Sequence, residues 1–196
     1  MSWLESTAVA FGIISVFLSV RQHIWSWPTA IVNVLLYVLV FRDAKLYADM
    51  GLQVVYFVLS VYGWYEWLYG GENRTVLKVS RATPRSMVTL TAIALVSVAA
   101  LGTFLARSTD AALPYMDSAT TSTSLVAQWM MTRKVLENWA VWMAVDVVYV
   151  GMFIFKHLYL TAGLYAVFFV LAAMGLREWK ASWEADRAAA ALVAAA

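Results

Sequence analysis

The feature that most constrains this chain is an internal repeat. Arg21–Trp67 aligns with Arg133–Trp179 without a gap, at a fixed offset of 112 residues, and 16 of the 47 positions are identical. The matches include Arg21/Arg133, Trp27/Trp139, Tyr37/Tyr149, Phe41/Phe153, Leu46-Tyr47/Leu158-Tyr159, Gly51-Leu52/Gly163-Leu164, Gly63/Gly175 and Glu66-Trp67/Glu178-Trp179. Apolar bias would produce chance matches at Leu and Val. It does not align Arg, Gly, Tyr and Trp at one spacing.

What repeats is apolar. Hydrophobic residues make up 63% of the 196 positions and charged residues 13%; a soluble domain has roughly 45–50% and about 25%. About 20 apolar residues cross a bilayer. Seven spans can be read, approximately Trp3–Val20, Trp27–Phe41, Leu46–Trp67, Met87–Ala106, Tyr115–Thr132, Leu136–Phe155 and Leu158–Leu176. Polar breaks lie at Gly70–Arg85 and Ser108–Pro114. The offset matches spans one to three with spans five to seven. A lone fourth span between two triplets keeps them in the same orientation. The expected fold is therefore all-α and integral to the membrane: a single transmembrane domain over residues 1–196, with two parallel three-helix repeats (about 3–67 and 115–179), a linker helix (about 87–106) and a cytoplasmic tail (180–196). Parallel repeats about an axis along the membrane normal are a transporter design, with the substrate site near the midplane between them.

Charge sets the expected topology. The first, third and fifth links and the C-terminus carry Arg21, Arg74, Lys78, Arg81, Arg85, Arg133, Lys134, Arg177, Lys180 and Arg187; the opposite side carries Arg42, Lys45, Arg107 and Lys156. The positive-inside rule then places the N-terminus outside and the C-terminus in the cytoplasm. Met1–Glu5 lacks a basic n-region, so a cleaved signal peptide is not expected. The tail after Trp183 is Ala-rich and reads as disordered or as a frayed helix. The net charge of +2 sits in links, which argues for topology and not for nucleic acid. With no Cys and two His, His23 and His157, neither a disulfide nor a metal cluster is expected.

Polar residues inside a span are costly and mark a ligand site or an interhelical contact. In span six, Asn138, Trp142, Asp146 and Tyr149 follow helical spacing on one face, with Asp146 the one central carboxylate. It reads as a partner for a cation or a ribose hydroxyl, or as a packing hydrogen bond. Span three places Asp49, Gln53, Tyr56, Ser60 and Trp64 on one face. Span five places Asp117, Thr121, Ser124 and Gln128. Asn33 lies near the centre of span two, and for Asn33 and Gln53 packing and ligand contact both stand. Trp3, Trp25, Trp67, Trp179 and Trp183 read first as interfacial belt residues; Trp129 and Trp142 lie deeper and could stack on a ring. Trp27 and Trp139 form a repeat-equivalent pair near the cytoplasmic side. Amides, one carboxylate, hydroxyls and indoles suit a polar ring compound with hydroxyls, including a cation. With no Lys or Arg near a span centre, phosphates are disfavoured.

These residues also resemble a known family. Trp27-Pro28, Tyr37, Phe41, Ala44-Lys45-Leu46-Tyr47-Ala48-Asp49, Leu52-Gln53, Tyr56, Gly63-Trp64 and Trp67 look like a first signature of the bacterial PnuC nicotinamide riboside transporters. Ala127-Gln128, Arg133-Lys134, Glu137-Asn138-Trp139, Trp142 and Asp146, continuing to Leu164-Tyr165, Gly175 and Glu178-Trp179, resemble a second. The resemblance implies a three-plus-one-plus-three fold related to the SWEETs, often homotrimeric. It also implies facilitated diffusion of the vitamin precursor nicotinamide riboside across the bacterial inner membrane, with a separate cytoplasmic kinase trapping it for NAD biosynthesis. It assigns ligand roles to Gln53, Gln128, Asn138 and Trp142, and to Trp27 and Tyr56. Depth and spacing add Asp146 and Asn33, and repeat equivalence adds Trp139. No cofactor is implied. Related carriers of thiamine or another ring-containing nutrient are the alternative. An intramembrane enzyme would need a catalytic constellation that one central Asp does not supply, and a structural subunit would not explain the mid-membrane polar stripes.

Overall fold

In the computed structural model, residues 3–43, 47–109, 113–155, 157 and 159–195 are described, with the side chains at 47–49, 160, 194 and 195 excepted. Lys45, Lys156, Ala44, Leu46 and Leu158, and the side chains of Tyr47, Ala48 and Asp49, therefore lie outside the described residues. Seven α-helices follow in order: α1 Trp3–Val20, α2 Ser26–Asp43, α3 Tyr47–Tyr69, α4 Pro84–Ser108, α5 Pro114–Thr132, α6 Asn138–Phe155 and α7 Tyr159–Ala195. A 3-10 turn at Glu72–Arg74 interrupts the link between α3 and α4.

The helices close into a ring. Each triplet packs in series, α1 on α2 on α3 and α5 on α6 on α7, and the triplets meet where α3 packs on α5 and α7 on α1. Helix α4 packs on α5 outside the ring. It is the most apolar and least buried of the spanning candidates, as a lipid-facing linker should be. Four helices, α1, α4, α6 and α7, are long and apolar enough to cross a membrane by length and composition alone. The other three are ring members that spend part of their surface on polar groups. Helix α5 buries Ser118, Thr120, Ser122, Ser124 and Thr132.

The duplication is visible at the level of single hydrogen bonds. Helices α1 and α5 end in the same left-handed cap: Gln22 (φ 53°) and Lys134 (φ 48°) occupy equivalent positions. His23 N–H donates to Leu18 O at 2.8 Å and Gln22 N–H to Ser19 O at 3.0 Å; Val135 and Lys134 repeat this onto Met130 and Met131 at 3.0 and 3.1 Å. That 6→1 and 5→2 pair is the Schellman arrangement, which satisfies carbonyls left over at a helix end. Trp27 meets Trp67 edge-on at 5.3 Å and 89°, and Trp139 meets Trp179 at 5.3 Å and 86°. Trp67 Nε1–H donates to Met131 O at 3.1 Å, and Trp179 Nε1–H to Ser19 O at 3.0 Å.

Those contacts correct one expectation. Trp67 and Trp179 are not belt residues; they are 1% and 0% exposed and sit 5.7 Å apart at the centre of the core. Trp3 and Trp25 are exposed, as belt residues are. A second correction concerns the tail. Helix α7 continues past Trp183 to Ala195, because alanine is the best helix former and because side chains hold it. Arg81 and Arg187 lie over the Trp183 ring at 5.3 and 4.9 Å, and Lys78 pairs with Asp186 at 3.1 Å.

The basic links meet at one end of the ring. Arg21 faces Glu178, Arg133 pairs with Glu66, and Arg81 pairs with Glu137. Burial opposes ionisation of Glu137, but the Ala82 N–H and the Arg81 guanidinium outweigh it and hold its carboxyl below the usual range. Lys134, in the α5–α6 link, is 4% exposed. Burial lowers it to about 8, against an opposing pull from Asp186. Below pH 8 the folded chain thus carries a charge that water would hold better. Between that value and the ordinary lysine value of 10.5, the unfolded chain binds more protons, so stability rises with pH. The detergent-solubilised protein should gain melting temperature from pH 7 to pH 9.5. Lys134→Gln, which copies its counterpart Gln22, should be more stable at pH 7 by an order of 1 kcal/mol and lack that rise. A parallel rise in both proteins would assign it to another group.

Candidate functional site: a cavity inside the six-helix ring

The ring encloses a cavity of about 460 Å³ lined from all six of its helices and not from α4. Drug-sized ligand pockets run from about 300 to 1,000 Å³. Eight of the nine residues singled out from the sequence line it: Trp27, Asn33, Gln53, Tyr56, Gln128, Trp139, Trp142 and Asp146.

Asn138 does not. It opens α6, is 0% exposed, and turns its Nδ2–H back to Val135 O at 2.6 Å. As the first helical residue it is recruited by the link that precedes it, which shared spacing with Trp142 and Asp146 does not reveal. Asn33 lines the cavity but donates Nδ2–H to Ala8 O at 2.6 Å, so part of its amide ties α2 to α1. Trp129 is 41% exposed and stacks parallel on Tyr62 at 5.4 Å, away from the cavity lining.

Each wall can be understood from the repeat. Trp27 and Trp139 form the floor at the basic end, 3% and 1% exposed. Their rings press on Gly63 of α3 and Gly175 of α7, where no side chain would fit. Both indole N–H groups are buried without a hydrogen-bond partner, as are Ser26 Oγ and Asn138 Oδ1; Ser26 and Asn138 are themselves repeat-equivalent. At the other end Tyr149 and Tyr165 lie 4.5 Å apart, with Phe153 5.3 Å from Tyr165. Tyr37 stacks on Phe41 at 5.6 Å just as Tyr149 stacks on Phe153 at 5.8 Å.

Within this symmetric frame the chemistry is one-sided. Gln128, Trp142 and Asp146 correspond to Val16, Ala30 and Val34, and all six line the cavity. Ser60 and Tyr56 correspond to Ala172 and Phe168, again all in the lining. The carboxylate Asp146 and the amides Gln53 and Gln128 thus come from the neighbours α3, α5 and α6, while α1 and α2 add Ser15, Ser19, Ser26 and Asn33. Asp146 is 3% exposed and makes no hydrogen bond or ion pair among the described residues. Among the described residues no Lys, Arg or His lines the cavity.

Sequence reading missed the contribution of α1. Gly12, Ser15 and Ser19 line the cavity and, with buried Ala8, follow steps of four, three and four. That stripe of small residues was the available signal. Ser15 Oγ–H donates to Ser26 O at 2.9 Å, and Gly12 lets α1 approach Asn33. Tyr37 and Tyr165 were also unassigned, because aromatic residues in an apolar span look like packing.

Comparison with known proteins agrees with this architecture. The chain is similar to the nicotinamide riboside transporter PnuC of Escherichia coli K12, 26% identical over 204 residues covering 91% of this chain and 85% of that protein. It is also similar to the riboflavin/roseoflavin transporter RibM of Streptomyces davaonensis, 27% identical over 182 residues covering 90% of this chain and 84% of that protein. A crystal structure of the vitamin B3 transporter PnuC superposes with a TM-score of 0.72 at 27% identity, covering 91% of this chain and 81% of that one. These relatives are transporters and not enzymes. The family described as nicotinamide mononucleotide transporter matches residues 2–181, and the chain belongs to that membrane transporter family.

Proposed function

We propose that this chain takes up nicotinamide riboside by facilitated diffusion. The observation that carries the reading is made of the described residues: one unpaired carboxylate in the cavity among amides, hydroxyls and indoles, with no cationic side chain in the lining. Nicotinamide riboside presents a pyridinium cation, a carboxamide and a ribose. Asp146 faces the cation. Gln53 and Gln128 are suited to the carboxamide and the hydroxyls, and the Trp142 ring offers a face to the flat ring. The mononucleotide would bring a phosphate dianion beside a carboxylate in a water-poor site, which is unfavourable on charge alone. The family's description names the mononucleotide; the charge of this cavity favours the riboside.

The same reading places the basic end, with the C-terminus, in the cytoplasm of a bacterial inner membrane. A cytoplasmic kinase would make uptake one-way by adding the phosphate that the cavity disfavours. The resemblance to PnuC supports a homotrimer. Riboflavin is the second reading, favoured by the similarity to RibM and by Tyr149 and Tyr165, which lie 4.5 Å apart at one end of the cavity.

Proteoliposome uptake separates them. Labelled nicotinamide riboside should enter saturably without a proton or sodium gradient, and unlabelled riboside should compete where the mononucleotide does not. Preferred uptake of riboflavin or thiamine would replace the substrate, and dependence on an ion gradient would replace the mechanism.

A further inference from the structure

Two repeat-equivalent fasteners close the cavity at its basic end, and they are unequal. Between α5 and α3, Arg133 Nη1 meets Glu66 Oε1 at 2.5 Å, Tyr62 donates to the same oxygen at 2.7 Å, and the Glu66 side chain is 12% exposed. Between α1 and α7, Arg21 and Glu178 stand 3.6 Å apart with side chains 60% and 51% exposed. The counterpart of Tyr62 is Met174, which cannot donate. An exposed ion pair contributes little and is screened by salt; in the Arg133–Glu66 pair the arginine is 44% exposed, but parting it would strand the buried Glu66 carboxylate.

The α3/α5 seam also carries a strap that the other lacks. The link after α3 crosses it, with Ser80 N–H donating to Lys134 O at 3.0 Å, Leu136 N–H to Ser80 O at 2.8 Å, and Ala82 N–H to Glu137 Oε2 at 2.9 Å. Arg81 adds its ion pair with Glu137. Duplication cannot supply a second strap, because repeat two is followed by the continuous α7 and not by a link. The α7 extension is itself joined to this link through Lys78–Asp186 and Arg81–Trp183. Each seam also holds one buried tryptophan hydrogen bond, Trp179 to Ser19 O and Trp67 to Met131 O, so it is the strap and the buried Glu66 that leave the α1/α7 seam the less restrained of the two. Helix α1 carries none of Asp146, Gln53 and Gln128, so its departure leaves those three groups in place.

We infer that the cavity opens toward the basic end at the α1/α7 seam, with α1 moving away from α7 while the strapped α3/α5 seam stays closed as the hinge. The inference rests on the chain working as a carrier, and not on the identity of its solute. The chain has no cysteine, so introduced pairs are unambiguous. Spin labels on R21C/E178C in liposomes should show a second, longer distance population, and labels on E66C/R133C a single narrow one. If Glu66→Cys impairs folding, S80C/V135C reports the same seam. A broad distribution across α3/α5, or narrow ones across both seams, overturns the inference. A reducible bis-thiosulfonate cross-link across R21C/E178C should abolish riboside uptake until reductant is added. The same cross-link across α3/α5 should leave uptake at its uncross-linked level, and the reverse pattern overturns the inference. A protein that shows the two distance patterns but carries no riboside before cross-linking refutes the riboside reading and leaves the opening seam standing.

Discussion

Replacing Asp146 with Asn is expected to raise the KM for nicotinamide riboside by roughly 10- to 100-fold, or about 1.4–2.8 kcal/mol of binding, while making the folded protein more stable. The two effects come from one observation. Asp146 is 3% exposed in the middle of α6 and has no partner among the described residues. A buried, unpaired carboxylate costs folding free energy, and Asn relieves that cost at nearly constant shape. If the charge is kept for a cation, its removal weakens binding of the riboside and leaves a neutral competitor such as nicotinamide almost unaffected. Asp146→Glu keeps the charge and should retain more affinity than Asn. A packing role predicts the opposite: lower melting temperature with unchanged KM. Melting in detergent and uptake kinetics on the same preparation separate the two.

The contrast between Asp146 and Asn138 shows how far sequence reading reaches. Both lie on one helical face in the sequence, and periodicity treats them alike. It fixes azimuth and not depth, and Asn138 sits where α6 begins, so the preceding turn captures its amide. The same limit explains Trp67 and Trp179. Their positions at span ends suggested a lipid interface, yet a ring of helices brings its ends together as well as its middles, and the two indoles meet on the axis. What the repeat made legible was whatever duplication copies: the triplets, the linker and the equivalence of Trp27 with Trp139. The order in which six helices close was not legible, because nothing in an apolar span names its neighbour across the ring. The strap at residues 74–83 was read only as a polar, basic link, since its work is done by backbone hydrogen bonds.

Alanine at Gly63 or Gly175 is expected to be among the most damaging single-methyl changes in this chain, and alanine at Gly51 or Gly163 to be harmless. All four glycines belong to pairs kept at the 112-residue offset, so identity between repeats does not distinguish them; space does. A Cβ on Gly63 would lie far inside contact distance of Trp27 Cη2, and one on Gly175 would lie 2.5 Å from Trp139 Cε2. Carbon atoms pack at about 3.5–4.0 Å. Each indole is set edge-on against a second buried tryptophan, so it can yield only into the cavity whose floor it forms. Overpacking of this kind costs about 1–3 kcal/mol and occasionally more. It also tilts the floor residues that line the cavity, so uptake should fall with stability. At Gly51 and Gly163 nothing lies within 4 Å of a new Cβ, and alanine gains up to about 1 kcal/mol in helix propensity over glycine. Melting temperature and monodispersity of the four single variants form a matched set in which each repeat controls for the other. If Gly63→Ala and Gly175→Ala melt with the parent, the tryptophan floor is loose, and the basic end is then closed by its ion pairs and backbone strap alone.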